Sequence, residues 1–136
     1  MVRILGLDPG EKRIGVAVTD PLGITAQGID VITCRNLETA LEEIATICRN
    51  YKVSKIVVGN PLNMNGTRGP ASEKAALFAE KLKEKLNLPV ELFDERLTSV
   101  SAEKTLISGR VRRENRRRVK DKLAAVMILE NYLAAR

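Results

Sequence analysis

The residues of this 136-residue chain best suited to chemistry are carboxylates set at element boundaries. Asp8 ends the apolar stretch "RILGLDPG", immediately before a Pro-Gly turn. Asp94 and Glu95 end a second apolar stretch, "VELFDER". Asp121 lies near the start of "VKDKLAAVMILENYLAA", which has helical periodicity. The chain contains no histidine, so the commonest general base and the commonest zinc ligand are both missing. Any catalysis must draw on carboxylates, lysine, hydroxyls or a metal held by oxygen atoms.

Clustered carboxylates point to a cation. Two of them ~4 Å apart repel by about 4 kcal/mol at an effective dielectric of 20. Three together need protonation or a metal ion. Oxygen-only ligands suit Mg²⁺ or Mn²⁺, and a two-metal carboxylate site hydrolyses phosphodiesters without histidine. Each acid also has a plainer reading. Asp8 can cap a turn, Asp94 and Glu95 can pair with Arg96, and Asp121 can complement a helix dipole from the first turn. Adjacent strand residues point to opposite faces, so only one of Asp94 and Glu95 can share a site with Asp8. Gly6 lies on the face of Asp8 and is expected to leave open space beside it. In the last helix, positions 121, 124/125, 128 and 132 form one stripe reading Asp, Ala-Ala, Ile, Tyr, with Glu130 opposite.

The formal charge is +6, from 23 Lys plus Arg and 17 Asp plus Glu. Residues 110–122, "RVRRENRRRVKDK", hold eight basic and two acidic residues, and the remaining chain has 15 of each sign. The net basicity is therefore a single patch, which suits a polyanion, nucleic acid above all. The low aromatic content, 3%, argues against base stacking as the main binding mode.

The elements that must position these groups follow from pattern. Residues 3–8 and 12–19 flank "PGEK" as a β-hairpin, and residues 25–33 extend it to a three-stranded antiparallel meander. Asn36 caps a helix whose face is Leu37, Leu41, Ile44, Cys48 and Tyr51. A buried strand over 55–59 follows, then a loop over 60–70. Pro70 opens a helix running to about Leu86. Further along come the strand "LPVELFDE", a short helix in "TSVSAEKTLISG", the basic stretch and a closing helix over 119–135. The order β-β-β-α-β-α-β-α-α implies a mixed sheet with helices on both faces.

The length fits one domain. No apolar run approaches the ~20 residues needed to span a bilayer, and "MVRILGLDPG" lacks the layout of a signal peptide. The expected compartment is the cytoplasm. Cys34 and Cys48 form no CxxC pair and are expected to be reduced thiols.

Four blocks, "ILGLDPGEKRIGVAVTD", "IVVGNPLNMNGT", "DERLTSVSAEKTL" and "VKDKLAAVMILENYL", together resemble the YqgF family of Holliday-junction-resolvase-like pre-16S rRNA nucleases. The resemblance covers almost the whole chain. It implies an α/β, ribonuclease-H-like domain over residues 1–136, with a five-stranded sheet in the order 3-2-1-4-5 flanked by helices. It also implies a nuclease using Mg²⁺ or Mn²⁺, as two ions, that trims the 5′ region of small-subunit ribosomal RNA precursor. Carried over, Asp8 matches the acid of the first strand, Glu95 the second acid and Asp121 the acid opening the last helix. Resolvases of the RuvC type carry a further acid near the last one. Here that place is Lys122 or apolar, which speaks against four-way junctions as the substrate.

On this reading Lys12, Arg13, Arg68, Arg110, Arg112, Arg113, Arg116, Arg117, Arg118 and Lys120 hold phosphates beside the metals. The expected partner is precursor ribosomal RNA rather than branched DNA, with no membrane, bound by a monomer or homodimer. Three other readings stay open: a junction resolvase in DNA recombination, a non-catalytic RNA-binding assembly factor, and a sugar-kinase or actin-like ATPase. The last shares the sheet and the "LDPGEKRIGVAVTD" loop, but it needs two such domains.

Overall fold

A computed structural model of the chain describes residues 3–10, 12–61, 65–67, 69–94 and 113–135, the last segment with its side chains from residue 119 onward. The elements are β1 (Ile4–Pro9), β2 (Arg13–Thr19), β3 (Ala26–Thr33), α1 (Leu37–Tyr51), β4 (Lys55–Asn60), α2 (Pro70–Leu86), β5 (Val90–Asp94) and α3 (Arg113–Ala135). The strands form one sheet in the order β3-β2-β1-β4-β5. β1, β2 and β3 are antiparallel neighbours, while β4 and β5 run parallel to β1.

Strand alternation divides the sheet into two faces. Leu5, Leu7, Ile14, Val16, Val18, Ile56 and Val58 point to one side and pack with Leu41, Ile44 and Cys48 of α1 and with Phe78, Ala79 and Leu82 of α2. Ile4, Ala17 and Val57 point to the other side, where Ala125, Ile128, Leu129 and Tyr132 of α3 cover them. Fully burying one such aliphatic side chain contributes roughly 1.5–3 kcal/mol, so each helix layer is held by its apolar stripe.

The local signals act as expected. The Asn36 side chain accepts a hydrogen bond from the Thr39 amide at 2.8 Å, and Pro70 opens α2. Lys52 and Asn87 end α1 and α2 in the left-handed region, at φ 53° and 54°. Cys34 and Cys48 are free thiols. No described helix is long and apolar enough to cross a membrane.

The last helix departs from expectation. It begins at Arg113 rather than near residue 119, so the basic run from 113 forms its first two turns. Arg and Lys are good helix formers, and charge alone does not stop a helix that packs further along. Asp121 therefore stands about two turns inside α3, beyond the reach of the N-terminal dipole. The first-turn role read from the sequence is overturned. The short helix expected in "TSVSAEKTLISG" lies outside the described residues.

Candidate active site

Asp8 is the penultimate residue of β1 and shares its face with Ile4 and Gly6, which is the face of α3. Its register partner across the hairpin is Gly15. Asp121 lies directly above that same glycine. A Cβ built on Gly15 would fall 2.0 Å from the Asp121 carbonyl oxygen and 2.7 Å from its carbonyl carbon. Directly opposed residues on an antiparallel pair have Cβ positions only about 4.5–5.5 Å apart. Gly15 thus brings the backbones of Asp8 and Asp121 to one spot, from parts of the chain more than a hundred residues apart.

The missing side chain at Gly15 is what permits this approach. Sequence reading passed over Gly15, although a glycine inside the alternation Ile14, Val16, Val18 is a signal of close backbone approach. Gly6 was given a different role, as open space beside Asp8. The structure fills that space: a Cβ on Gly6 would meet the Leu129 side chain at 2.5 Å. Gly6 seats α3 on the sheet, because removing one methyl from the strand admits a whole leucine from the helix.

Arg13 supplies the charge opposite Asp121. Its Nε donates to Asp121 Oδ2 at 2.8 Å, with the two side chains 33% and 25% exposed. Arg13, Gly15 and Ala17 alternate onto the α3 face of β2. Arg13 is therefore the diagonal neighbour of Asp8, within reach of a long side chain. Expected as a phosphate contact, Arg13 is instead engaged with a candidate metal ligand.

β5 fixes the face of Asp94. Val90 and Leu92 pack with the α1/α2 core and Phe93 with the α3 core. Alternation thus assigns Asp94 to the face away from Asp8. Glu95 lies outside the described residues, as do Arg68, Arg110 and Arg112. Arg113, Arg116, Arg117 and Arg118 fall on the first turns of α3, and the side chains of Lys12 and Lys120 are exposed. Among the described residues, no group of three or more acids or cysteines converges into a metal cage.

The C-terminal edge of the parallel strands frames the site. Asp8, next to last in β1, lies at this edge with Asn60 and Asp94, which end β4 and β5 and pair with each other. Buried Asn60 accepts a 2.5 Å hydrogen bond from the Ser72 hydroxyl of α2, which anchors the chain leaving β4. At the far end of α3, the Tyr132 hydroxyl donates to Glu91 Oε2 at 2.9 Å and accepts from Lys55 Nζ. Lys55 pairs with Glu91 at 2.8 Å. Hydrogen bonds from Lys55 and then Tyr132 hold the Glu91 carboxyl below the usual range. This network locks the helix whose other end carries Asp121.

Residues 2–135 match the family model described as "RuvX: Holliday junction resolvase". The chain belongs to the RuvX family. That places it among nucleases and meets the YqgF-family resemblance read from its motifs. A relative from Clostridium tetani is 52% identical over 132 residues, covering 97% of this chain and 96% of the relative. One from Pelotomaculum thermopropionicum is 54% identical over 133 residues, covering 97% and 86%. Both bear the name "Putative pre-16S rRNA nuclease". Among solved structures, T. thermophilus RuvC in complex with a Holliday junction substrate gives a TM-score of 0.61 at 13% identity, over 99% of this chain and 95% of that one. The fowlpox virus Holliday junction resolvase gives 0.61 at 15%, over 99% and 100%. At such identities the likeness establishes the ribonuclease-H-like fold and nothing finer about this RuvX-family chain.

Proposed function

We propose that this chain is a divalent-metal endonuclease that processes the 5′ end of pre-16S rRNA in the cytoplasm, acting as a single ribonuclease-H-like domain. Asp8, Glu95 and Asp121 are its metal ligands on this reading. The observation that carries it is the placement of Asp121 over Gly15, the register partner of Asp8. Two acids carried by backbone segments that pack over one glycine, in a chain without histidine, suit an oxygen-liganded Mg²⁺ or Mn²⁺. Asp94 falls on the face away from Asp8, and the family resemblance supports Glu95 as the second acid. When bound, a pair of such ions supplies an activated water and charge stabilisation at the leaving 3′-oxygen.

The chain's own residues do the rest. α3 carries the basic run in the turns immediately before Asp121, so phosphates held there lie along the approach to the acids. Lys12 extends the positive surface at the hairpin tip. Buried Leu129 and Ile128 hold α3 against the sheet, which fixes Asp121 relative to Asp8.

The relatives' name supports RNA as substrate, and the family description keeps the four-way junction as the second reading. A cleavage assay with Mn²⁺ or Mg²⁺ on precursor ribosomal RNA and on a four-way DNA junction, side by side, decides between them. Wild-type protein is expected to cut the RNA, and Asp8→Asn and Asp121→Asn to lose cleavage while still binding it. Preferential cutting of the junction favours the resolvase. Binding without cleavage under either metal identifies an assembly factor and refutes the enzymatic reading.

A further inference from the structure

We infer that Arg13 is a built-in counter-ion that competes with the divalent cation for Asp121 and is drawn off by substrate phosphate, so that RNA and metal bind cooperatively. The inference rests on the assignment of Asp121 as a metal ligand. Its own observation is the direct ion pair between Arg13 Nε and Asp121 Oδ2 at 2.8 Å.

The position of Arg13 explains why one side chain can serve both partners. β2 places it at the hairpin tip, on the α3 face, diagonal to Asp8 and in contact with Asp121 of α3. A guanidinium there neutralises one carboxylate when no metal is present and lowers the repulsion between the acids. It also raises the cost of bringing a dication to the same oxygen, because like charges then share the site. A phosphodiester offers the same planar, bidentate match to a guanidinium that a carboxylate does. The side chain is one-third exposed, so it has room to turn from Asp121 toward a backbone phosphate at the strand edge. Substrate binding then frees Asp121 for the metal, and by linkage the metal frees Arg13 for the substrate. The charge of Arg13 is committed within the site until a phosphate replaces the carboxylate.

The test measures Mn²⁺ binding to the intact protein by electron paramagnetic resonance, without and with a single-stranded oligoribonucleotide. Work in the cold and a denaturing gel afterwards confirm that the oligonucleotide stays whole, and its own Mn²⁺ uptake is subtracted. Without RNA, Arg13→Gln is expected to bind Mn²⁺ about three- to tenfold more tightly than wild type, the range for losing one partly exposed competing charge. RNA is expected to tighten Mn²⁺ binding by a similar factor in wild type and less than about twofold in Arg13→Gln. Arg13→Lys keeps the charge and is expected to retain the coupling. Equal or weaker Mn²⁺ binding by Arg13→Gln alone overturns the inference. Asp121→Asn separates this failure from a failure of the ligand assignment. If that variant binds Mn²⁺ like wild type, the assignment itself falls. If it loses Mn²⁺ while Arg13→Gln matches wild type, only the counter-ion role falls.

Discussion

Replacing Gly15 with alanine tests the geometry on which the site depends. The added Cβ would sit 2.0 Å from the Asp121 carbonyl oxygen, 2.7 Å from its carbon and 3.4 Å from its Cα. Both sides of this contact are backbone, so no rotamer change relieves it. Restoring an ordinary separation lifts that turn of α3 from the sheet by about 1 Å or more. Ala125, Ile128 and Leu129 are fully buried beneath the following turns. A gap of that size forfeits roughly a quarter to a half of each dispersion contact it opens. The expected net loss is about 3–5 kcal/mol, allowing for the roughly 0.5–1 kcal/mol that alanine recovers over glycine within a strand. Two neighbours calibrate it. A Cβ on Gly6 meets the Leu129 side chain at 2.5 Å, and one on Gly28 meets Lys122 Cβ at 3.0 Å. Gly6→Ala is therefore expected to cost about 1–3 kcal/mol, and Gly28→Ala less than about 1 kcal/mol. Urea unfolding of the three variants measures the order, and metal-dependent cleavage measures whether Asp121 is displaced. A Gly15→Ala protein as stable and active as wild type refutes the seating of α3 over Gly15, and with it the approach of Asp121 to Asp8.

Three further outcomes follow from groups away from the site. Tyr132→Phe removes the hydroxyl between Lys55 and Glu91 and is expected to cost about 1 kcal/mol, the modest value reflecting the exposure of the pair. Because Glu91 is held below its ordinary 4.5, its stabilisation is present above that value and disappears as pH falls through the depressed one. Glu91→Gln should therefore flatten the loss of stability on acidification, as urea midpoints at pH 7 and pH 4 will show. Burial pushes the Cys48 thiol from 9.0 up to about 11. The unfolded chain ionises first, so the thiol's contribution is whole below 9.0 and falls away as pH rises toward 11. Denaturation at pH 8 and pH 10.5 should show Cys48→Ala losing less stability over that interval than wild type. An equal loss contradicts the burial of the thiol.

Local chemistry made most of the architecture legible before any coordinates. Strict alternation in "KRIGVAVTD", the Asn36 cap, Pro70 at the head of α2 and the spacing of the α1 stripe depend on neighbours a few residues away, so they survive in one dimension. The sheet order came from the family resemblance, since strand adjacency is a non-local property. The basic run misled for a related reason. The sequence pattern sets it ahead of the closing helix, but helical continuity into α3 is decided by packing further along the helix.

The candidate site divides along the same line. Residue types pointed to carboxylate chemistry and a polyanion, since histidine is absent and the net positive charge sits in one run. Only tertiary structure decided which acids meet. Asp94 and Glu95 are indistinguishable in sequence, and the alternation of β5 against a real core assigned Asp94 to the other face. Asp121 comes over the register partner of Asp8 because Gly15 lets α3 approach to backbone contact, while Gly6 admits the Leu129 side chain. Arg13, named from the sequence as a phosphate contact, pairs with Asp121 through that approach. Such contacts depend on the distance between elements, which the close packing of side chains sets across the whole sheet.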